Sequence, residues 1–296
     1  MSKKGLYLGL LFLVACAPQS APLATQGDIE ARLAPTQIVE SIASSTPLEK
    51  ETPEPDFVDT DCLQRLGEMQ YFDLDSEVLD QGLQFRIYLP PCYHEQNMRK
   101  FAVLYLIHGQ TFNDDQWDRL GVDDIAESLI NADEVSPFLI VMPFDLGNAQ
   151  PSIDPFNRAF IQELIPYIDA NFRTLNTREF RAIGGLSRGA SWALHFALEN
   201  PELFSSVGGH SPPIFVEDAP FVRSWLEAMP AKLRPRIWLD IGEKDQQAIM
   251  NSVLWFEEML TEMNIAHQWH LFPGNHDEAY WSSHLELYLR WYSENW

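Results

Sequence analysis

Basic residues are scarce in this chain of 296 residues, which has 20 lysines and arginines against 43 aspartates and glutamates. The formal net charge of -23 disfavours nucleic acid as a partner, because phosphate groups and this surface would repel each other. An anionic membrane surface would repel the folded domain for the same reason. The excess of carboxylates is instead typical of a well-solvated protein surface.

The N-terminal apolar run, residues 5–15, is too short to cross a bilayer, since a transmembrane helix needs about 20 apolar residues. Lys3 and Lys4 precede it, so we interpret residues 1–15 as a signal peptide. The run ends in LVAC, which resembles the lipobox of bacterial lipoproteins, in which the cysteine becomes the first mature residue and carries lipid. Cys16 is therefore the predicted lipidation site.

Lipidation at Cys16 would hold the protein at a membrane, because each buried CH₂ of an acyl chain contributes about 0.8 kcal/mol. The predicted location is then the periplasmic or extracellular face of a bacterial cell envelope. The alternative is an ordinary secretory signal followed by an incidental cysteine. Residues 16–60 are rich in Pro, Ser, Thr, Ala and Glu and cannot bury much apolar surface, so they are predicted to form an extended tether.

Cysteine is also rare, with 3 in the chain, and nothing near the other two suggests a metal site or a catalytic thiol. Cys62 stands at the start of the predicted domain, residues 61–296, and Cys92 follows an early strand. An exported compartment permits disulfides, so we predict that these two residues pair. The alternative is two free thiols.

Residues 181–190 read RAIGGLSRGA, a short apolar strand followed by Gly-x-Ser-x-Gly and a helix. This pattern is typical of the nucleophile elbow of serine hydrolases. Ser187 would sit on a strained turn from which its hydroxyl projects, while Gly185 and Gly189 keep side chains out of a close backbone approach. The alternative is a glycine-rich turn without a chemical role.

Strand-like and helix-like segments alternate along the rest of the chain. The predicted strands cover residues 69–74, 83–89, 102–107, 138–142, 180–184, 205–209, 236–241 and 267–271. The predicted helices cover residues 122–130, 154–172, 191–199, 221–229, 247–263 and 277–291. This alternation predicts an α/β fold with a mostly parallel sheet of about eight strands and helices on both faces. Active sites on such sheets lie at the carboxyl ends of the strands.

A serine hydroxyl needs a base, and the base needs a carboxylate that orients it. These groups follow the order Ser, acid, His when the nucleophile lies on such an elbow. Asp245 follows the strand 236–241 in a loop and is the candidate acid, with Glu243 as its nearest rival and Asp240 inside the strand. His276 follows the last strand in a loop and is the candidate base.

An oxyanion hole needs two backbone N–H donors. The predicted donors are Arg188, directly after the nucleophile, and Gln110, in the loop after strand 102–107. His108 is predicted to form structural hydrogen bonds rather than to act as a base. The remaining histidines considered lie in predicted strands or helices and fit the site less well: His195, His267, His270 and His284.

These segments together resemble the bacterial "Putative esterase" group of α/β-hydrolases, which includes feruloyl and acetyl xylan esterases, enterochelin esterases, S-formylglutathione hydrolases and mycolyltransferases. The matching segments are residues 103–109, 163–168, 172–174, 183–189 and 273–276, with Trp281. The resemblance implies the α/β-hydrolase fold and a triad of Ser187, Asp245 and His276. Arg188 departs from the group, where Met is frequent. A cation there would alter substrate preference or pair with a nearby carboxylate.

The expected function is an exported serine esterase that hydrolyses carboxylic esters through an acyl-enzyme, without metal or cofactor. Acylated carbohydrates are the expected substrates on family analogy alone, and residues 145–155 are expected to form a loop at the rim of the site. One alternative is an acyltransferase that uses the same triad on cell-envelope acceptors. The other is a non-catalytic surface binding protein on a hydrolase scaffold.

Overall fold

Eight strands form one mixed sheet in the computed structural model, which describes residues 63–296. They are β1 (Glu68–Leu74), β2 (Leu83–Leu89), β3 (Ala102–Ile107), β4 (Phe138–Pro143), β5 (Arg181–Leu186), β6 (Ser206–His210), β7 (Arg236–Gly242) and β8 (Gln268–Phe272). Their order is β1-β2-β4-β3-β5-β6-β7-β8, and β2 runs antiparallel to both neighbours while the other pairs are parallel. The predicted mostly parallel sheet is confirmed.

Helices cover both faces of this sheet. They are α1 (Gln116–Arg119), α2 (Val122–Asn131), α3 (Phe156–Ala159), α4 (Ile165–Asn171), α5 (Arg188–Glu199), α6 (Val222–Ala228), α7 (Gln247–Glu262), α8 (Glu278–Ser282) and α9 (Leu285–Ser293). Strand β3 shows the two layers, because its side chains alternate between faces. Tyr105 and Ile107 pack in one apolar cluster with α5, whereas Leu104 and Leu106 pack in another with α9.

The helix expected at 191–199 begins earlier, at Arg188, and two other predicted helices are interrupted. The helix expected at 154–172 is interrupted by a π-helical turn, Phe160–Leu164, and Pro166 lies in the first turn of α4, where a missing N–H is best tolerated. The helix expected at 277–291 is divided into α8 and α9. Ser283 Oγ and His284 Nδ1 each lie 2.7 Å from the carbonyl oxygen of Tyr280, so side chains take the acceptor that a continuing helix would use.

The parallel strands bring the predicted site residues to one edge of the sheet. Gln110 follows β3, Ser187 follows β5, Asp245 follows β7 and His276 follows β8, each in the loop at the carboxyl end of its strand. This is the edge at which such sheets bind their ligands. The topology therefore places residues far apart in sequence around one point.

The predictions for the N-terminal region lie outside the described residues. They concern the signal peptide of residues 1–15, Cys16, the tether of residues 16–60, and Cys62. Cys92 is disulfide-bonded, and its pairing with Cys62 stays a prediction. None of the helices within residues 63–296 combines the length and the apolar character that crossing a membrane requires.

Candidate active site

Ser187 occupies a strained turn between β5 and α5. Its backbone angles are φ 52° and ψ -123°, a region that residues with a side chain rarely adopt. The neighbouring glycines permit this turn, because a Cβ on Gly185 would lie 2.3 Å from the carbonyl carbon of Gly189. A Cβ on Gly189 would lie 2.1 Å from the carbonyl oxygen of Ile107. The Gly-x-Ser-x-Gly pattern therefore has a steric cause at both glycines.

The structure brings the three predicted triad residues together. The Oγ of Ser187 lies 2.9 Å from His276 Nε2, and His276 Nδ1 lies 2.9 Å from Asp245 Oδ1. The Asp245 side chain is fully buried, so its carboxylate is held against the ring. A proton on Nδ1 pointing at the carboxylate leaves Nε2 free to accept the hydroxyl proton. The arrangement has the geometry of a general base beside a nucleophile.

Backbone contacts join the loop of Asp245 to the loop of His276. The N–H of Lys244 donates to the carbonyl oxygen of Gly274 at 2.9 Å, and the N–H of Glu243 donates to that of Phe272 at 2.8 Å. Glu243, the rival acid, is exposed and supplies only its backbone to this contact. These backbone hydrogen bonds fix the loop of the acid relative to the loop of the base and leave the side chains of Asp245 and His276 free to contact each other.

Asp240 is the centre of a buried network that the sequence did not reveal. Its carboxylate accepts hydrogen bonds from Tyr280, Tyr288 and Trp238 at 2.7 to 2.8 Å, and lies 2.5 Å from His210 Nδ1. Burial alone would raise the pKa of Asp240, but the charge and hydrogen bond of His210 and the hydrogen bonds from Tyr280 and Trp238 hold that pKa below its usual range. Because Tyr280 lies in α8, directly after the His276 loop, the network attaches that segment to β7. In the sequence, the sign of this network is the presence of a carboxylate, Asp240, inside an otherwise apolar strand.

The two predicted oxyanion donors line one cavity together with Ser187 and His276. This cavity has a volume of about 860 Å³ and is bounded by Gln110, Arg188, Ser187 and His276. Apolar side chains form much of its wall: Phe112, Leu186, Pro213, Ile249 and Trp281. The cavity therefore offers apolar surface beside the nucleophile.

His108 makes two hydrogen bonds beneath the loop of Gln110. Its Nε2 accepts from the N–H of Asp145 at 2.9 Å, so the ring proton lies on Nδ1, which donates to the carbonyl oxygen of Gly109 at 2.7 Å. Burial lowers the pKa of His108 to about 4, which keeps the ring neutral near pH 7. These contacts agree with the predicted structural role.

The Arg188 side chain is buried and paired with carboxylates. Its Nε donates to Asp145 Oδ2 at 3.0 Å, and its Nη2 donates to Asp154 Oδ2 at 3.1 Å and to the carbonyl oxygen of Ala149 at 2.8 Å. Burial and the charge of Asp145 raise the pKa of Asp154. Of the two roles considered for this cation, pairing with a nearby carboxylate is the one observed.

The remaining histidines have partners away from Ser187. His195 Nδ1 lies 3.0 Å from Asp218, and His270 stacks between Trp238 and Phe272. Within residues 63–296, no three His, Cys, Asp or Glu side chains are grouped in a way that could hold a metal ion.

Comparison with known proteins places this chain in a family. The family model described as "Putative esterase" matches residues 76–292. A ferulic acid esterase structure superposes with a TM-score of 0.70 at 22% identity, covering 78% of this chain and 100% of that one. An S-formylglutathione hydrolase from Staphylococcus aureus superposes with a TM-score of 0.60 at 19% identity, covering 77% and 98%. At these identities the superpositions establish the fold.

Two relatives share part of the sequence. An endo-1,4-beta-xylanase/feruloyl esterase from Xylanibacter ruminicola is 31% identical over 153 residues, which are 48% of this chain and 21% of that protein. An esterase from Mycobacterium tuberculosis is 30% identical over 154 residues, which are 48% of this chain and 32% of that protein. The matches therefore span less than half of either relative.

The sheet order and the superpositions give this protein the α/β-hydrolase fold. Because the family model matches most of the chain, the chain belongs to the "Putative esterase" family. The predicted family is thereby confirmed.

Proposed function

We propose that this protein is an exported serine esterase that hydrolyses carboxylic esters through an acyl-enzyme on Ser187. The observation that carries the proposal is the hydrogen-bonded series from Ser187 Oγ through His276 to the buried Asp245. A serine hydroxyl alone is a weak nucleophile, and this series supplies both a base and the group that orients it.

In the proposed reaction, Ser187 Oγ attacks the ester carbonyl carbon while His276 Nε2 takes the hydroxyl proton. The carbonyl oxygen becomes an oxyanion that accepts hydrogen bonds from the backbone N–H groups of Gln110 and Arg188. The C–O bond to the alcohol then breaks, and His276 gives its proton to the leaving oxygen. Water repeats the sequence on the acyl-enzyme, releasing the acid and restoring Ser187. Asp245 holds the ring of His276 throughout.

The proposed substrates are uncharged esters, with acylated carbohydrates as the class favoured by the relatives. The cavity wall offers the rings of Phe112 and Trp281 to an acyl group. Asp277 and Glu278 also line the cavity, and the cation of Arg188 is paired with two carboxylates. A negatively charged acyl group would therefore be repelled by the two acidic residues without being stabilised by Arg188.

The test of the proposed function is hydrolysis of p-nitrophenyl acetate by the purified protein, compared with its Ser187→Ala variant. We expect the substitution to reduce kcat by about 10⁴-fold or more, because the nucleophile is lost. Equal rates for the two proteins would instead support a non-catalytic binding protein. Product analysis with an added sugar alcohol tests the acyltransferase alternative, for which an acylated alcohol rather than free acid would be the main product.

A further inference from the structure

The two proposed oxyanion donors are connected by a buried series of hydrogen bonds. We infer that Arg188, Asp145 and His108 form an oxyanion clamp, in which these three positioning residues set the spacing of the Arg188 and Gln110 backbone N–H groups. The inference rests on the proposed function, because it concerns the stabilisation of the oxyanion formed at Ser187.

The first link joins the Arg188 side chain to Asp145. The guanidinium Nε donates to Asp145 Oδ2 at 3.0 Å, and both side chains are buried. The same carboxylate oxygen accepts from Trp192 Nε1 at 2.8 Å, while Oδ1 accepts from the N–H of Gly147 at 2.8 Å. A charge-assisted hydrogen bond in a buried site is strong and directional. Because Arg188 also supplies the first backbone donor, holding its side chain holds the first turn of α5.

The second link passes through the backbone of Asp145. Its N–H donates to His108 Nε2 at 2.9 Å, so one residue contacts Arg188 through its carboxylate and His108 through its amide. Arg188 and His108 therefore have a common partner. A shift of Asp145 would be transmitted to both.

The third link orients the peptide that carries the second donor. His108 Nδ1 donates to the carbonyl oxygen of Gly109 at 2.7 Å. In a trans peptide the C=O and the following N–H point in opposite directions, and the structure has no cis peptide bond in residues 63–296. Drawing the Gly109 carbonyl towards His108 thus turns the N–H of Gln110 away from His108, which directs it towards the cavity shared with Ser187.

The ring of His108 has the protonation state that the clamp needs. A neutral imidazole donates from one nitrogen and accepts at the other, whereas the cation donates from both. Burial lowers the pKa of this ring to about 4, so His108 can accept from Asp145 and donate to Gly109 near pH 7. The ring also packs against Phe144 at 5.5 Å between centroids, which restricts its rotation.

The donor segments touch, so small displacements matter. A Cβ on Gly109 would lie 3.6 Å from Ser187 Cβ, and the backbone of Gly189 packs directly on the carbonyl oxygen of Ile107. Oxyanion donors act at about 2.7–3.1 Å from the charged oxygen. Loosening the clamp would therefore weaken transition-state binding while leaving the ground-state contacts of the ester mostly intact, which predicts a fall in kcat rather than a rise in KM.

The test measures kcat and KM for p-nitrophenyl acetate and the inhibition constant of phenylboronic acid, whose tetrahedral serine adduct mimics the oxyanion. The variants are His108→Ala and Asp145→Asn. We expect kcat to fall about 10- to 100-fold, less than the about 10²- to 10³-fold loss when a donor is removed outright. The inhibition constant should rise by a similar factor, with KM within about twofold of wild type.

The matched control is Asp218→Asn, which disturbs the buried pair between Asp218 and His195, a residue of α5, the helix that begins at Arg188. We expect its kcat and boronate affinity to stay within about twofold of wild type. A further pair, Arg188→Met and Arg188→Lys, tests the charge, since Lys should restore part of the boronate affinity that Met loses. The near-isosteric Asp145→Asn retains its own N–H, so it remains informative if His108→Ala does not fold.

The clamp is overturned if the His108 and Asp145 variants retain wild-type kcat and boronate affinity, if only KM rises, or if Asp218→Asn loses as much as they do. A wild-type protein without esterase activity, or an active Ser187→Ala variant, would instead overturn the proposed function. An active wild type, an inactive Ser187→Ala variant and unaffected clamp variants would leave the proposed function standing and reject the clamp alone.

Discussion

Gly242 and Gly274 meet backbone to backbone, so that a Cβ on Gly242 would lie 2.6 Å from the carbonyl oxygen of Gly274. Gly242 ends β7, the strand before Asp245, and Gly274 lies two residues before His276. The contact sets the distance between the acid and the base, because the loop of Asp245 starts directly after Gly242 and Gly274 lies in the loop of His276.

Replacing Gly242 with Ala should therefore reduce activity as well as stability. We expect the added methyl group to push the two loops apart, lowering the unfolding free energy by about 1–3 kcal/mol and kcat by up to about 10²-fold. Chemical denaturation and steady-state kinetics measure the two effects. Gly121→Ala is the control, since Gly121 has φ 89° with no atom near its Cβ position and should cost about 1 kcal/mol of stability without lowering kcat. Normal kcat in Gly242→Ala would contradict the expectation.

Asp245 and Glu243 lie in one loop, but only Asp245 contacts His276. We expect Asp245→Asn to lower kcat by about 10⁴-fold, because the ring loses the carboxylate that sets its tautomer. The matched Glu243→Gln change should stay within about twofold of wild type, since this side chain is exposed. Kinetics with p-nitrophenyl acetate distinguishes the two. If Glu243→Gln were the more damaging change, the assignment of the acid would be wrong.

His108 should make stability depend on pH below neutrality. Burial lowers its pKa from 6.5 to about 4, so the unfolded chain binds more protons than the folded one between these values. The contribution is complete above about pH 6.5 and is lost as pH falls towards 4, at no more than about 1.4 kcal/mol per pH unit. Denaturation from pH 4.5 to 7.5 should show a steeper slope in wild type than in His108→Ala. Burial also lowers the pKa of His270, so some slope should persist in the variant. Identical slopes would count against a neutral buried His108.

Membrane attachment tests the proposed location. In the producing bacterium, we expect Cys16→Ser to move the protein from the membrane fraction to the soluble one, because the lipidated residue is lost. Cys92→Ser should leave the fractionation unchanged and serves as the control. Retention of the Cys16→Ser variant in the membrane fraction would refute a lipid anchor at this residue.

Much of the fold could be predicted because its signals are local. Buried strands such as β3 are continuous apolar runs, and all eight strands end within two residues of their predicted bounds. The ends of the helices are harder to predict from the sequence. The break between α8 and α9 depends on side chains of Ser283 and His284 competing for one carbonyl oxygen, and helical periodicity does not report that competition.

The candidate site also has one part that the sequence predicts and one part that it does not. The immediate neighbours of Ser187 identify it as the candidate nucleophile. The order of residues along the chain then points to Asp245 and His276 as its partners. The network around Asp240 could not be predicted from the sequence, because packing of α8 and α9 on the sheet brings its tyrosines to the carboxylate. Its buried tyrosines read as ordinary apolar positions in the sequence.

Residue order and local sterics were thus enough to identify the strands, the elbow and the three residues that meet at it. The role of Arg188 depended on the folded chain, because its partners Asp145 and Asp154 lie 43 and 34 residues away. A buried cation needs carboxylate partners, because burying an unpaired charge is costly. Which carboxylates pair with it depends on how the loop of residues 145–154 folds over α5. The same long-range packing links Arg188 to His108.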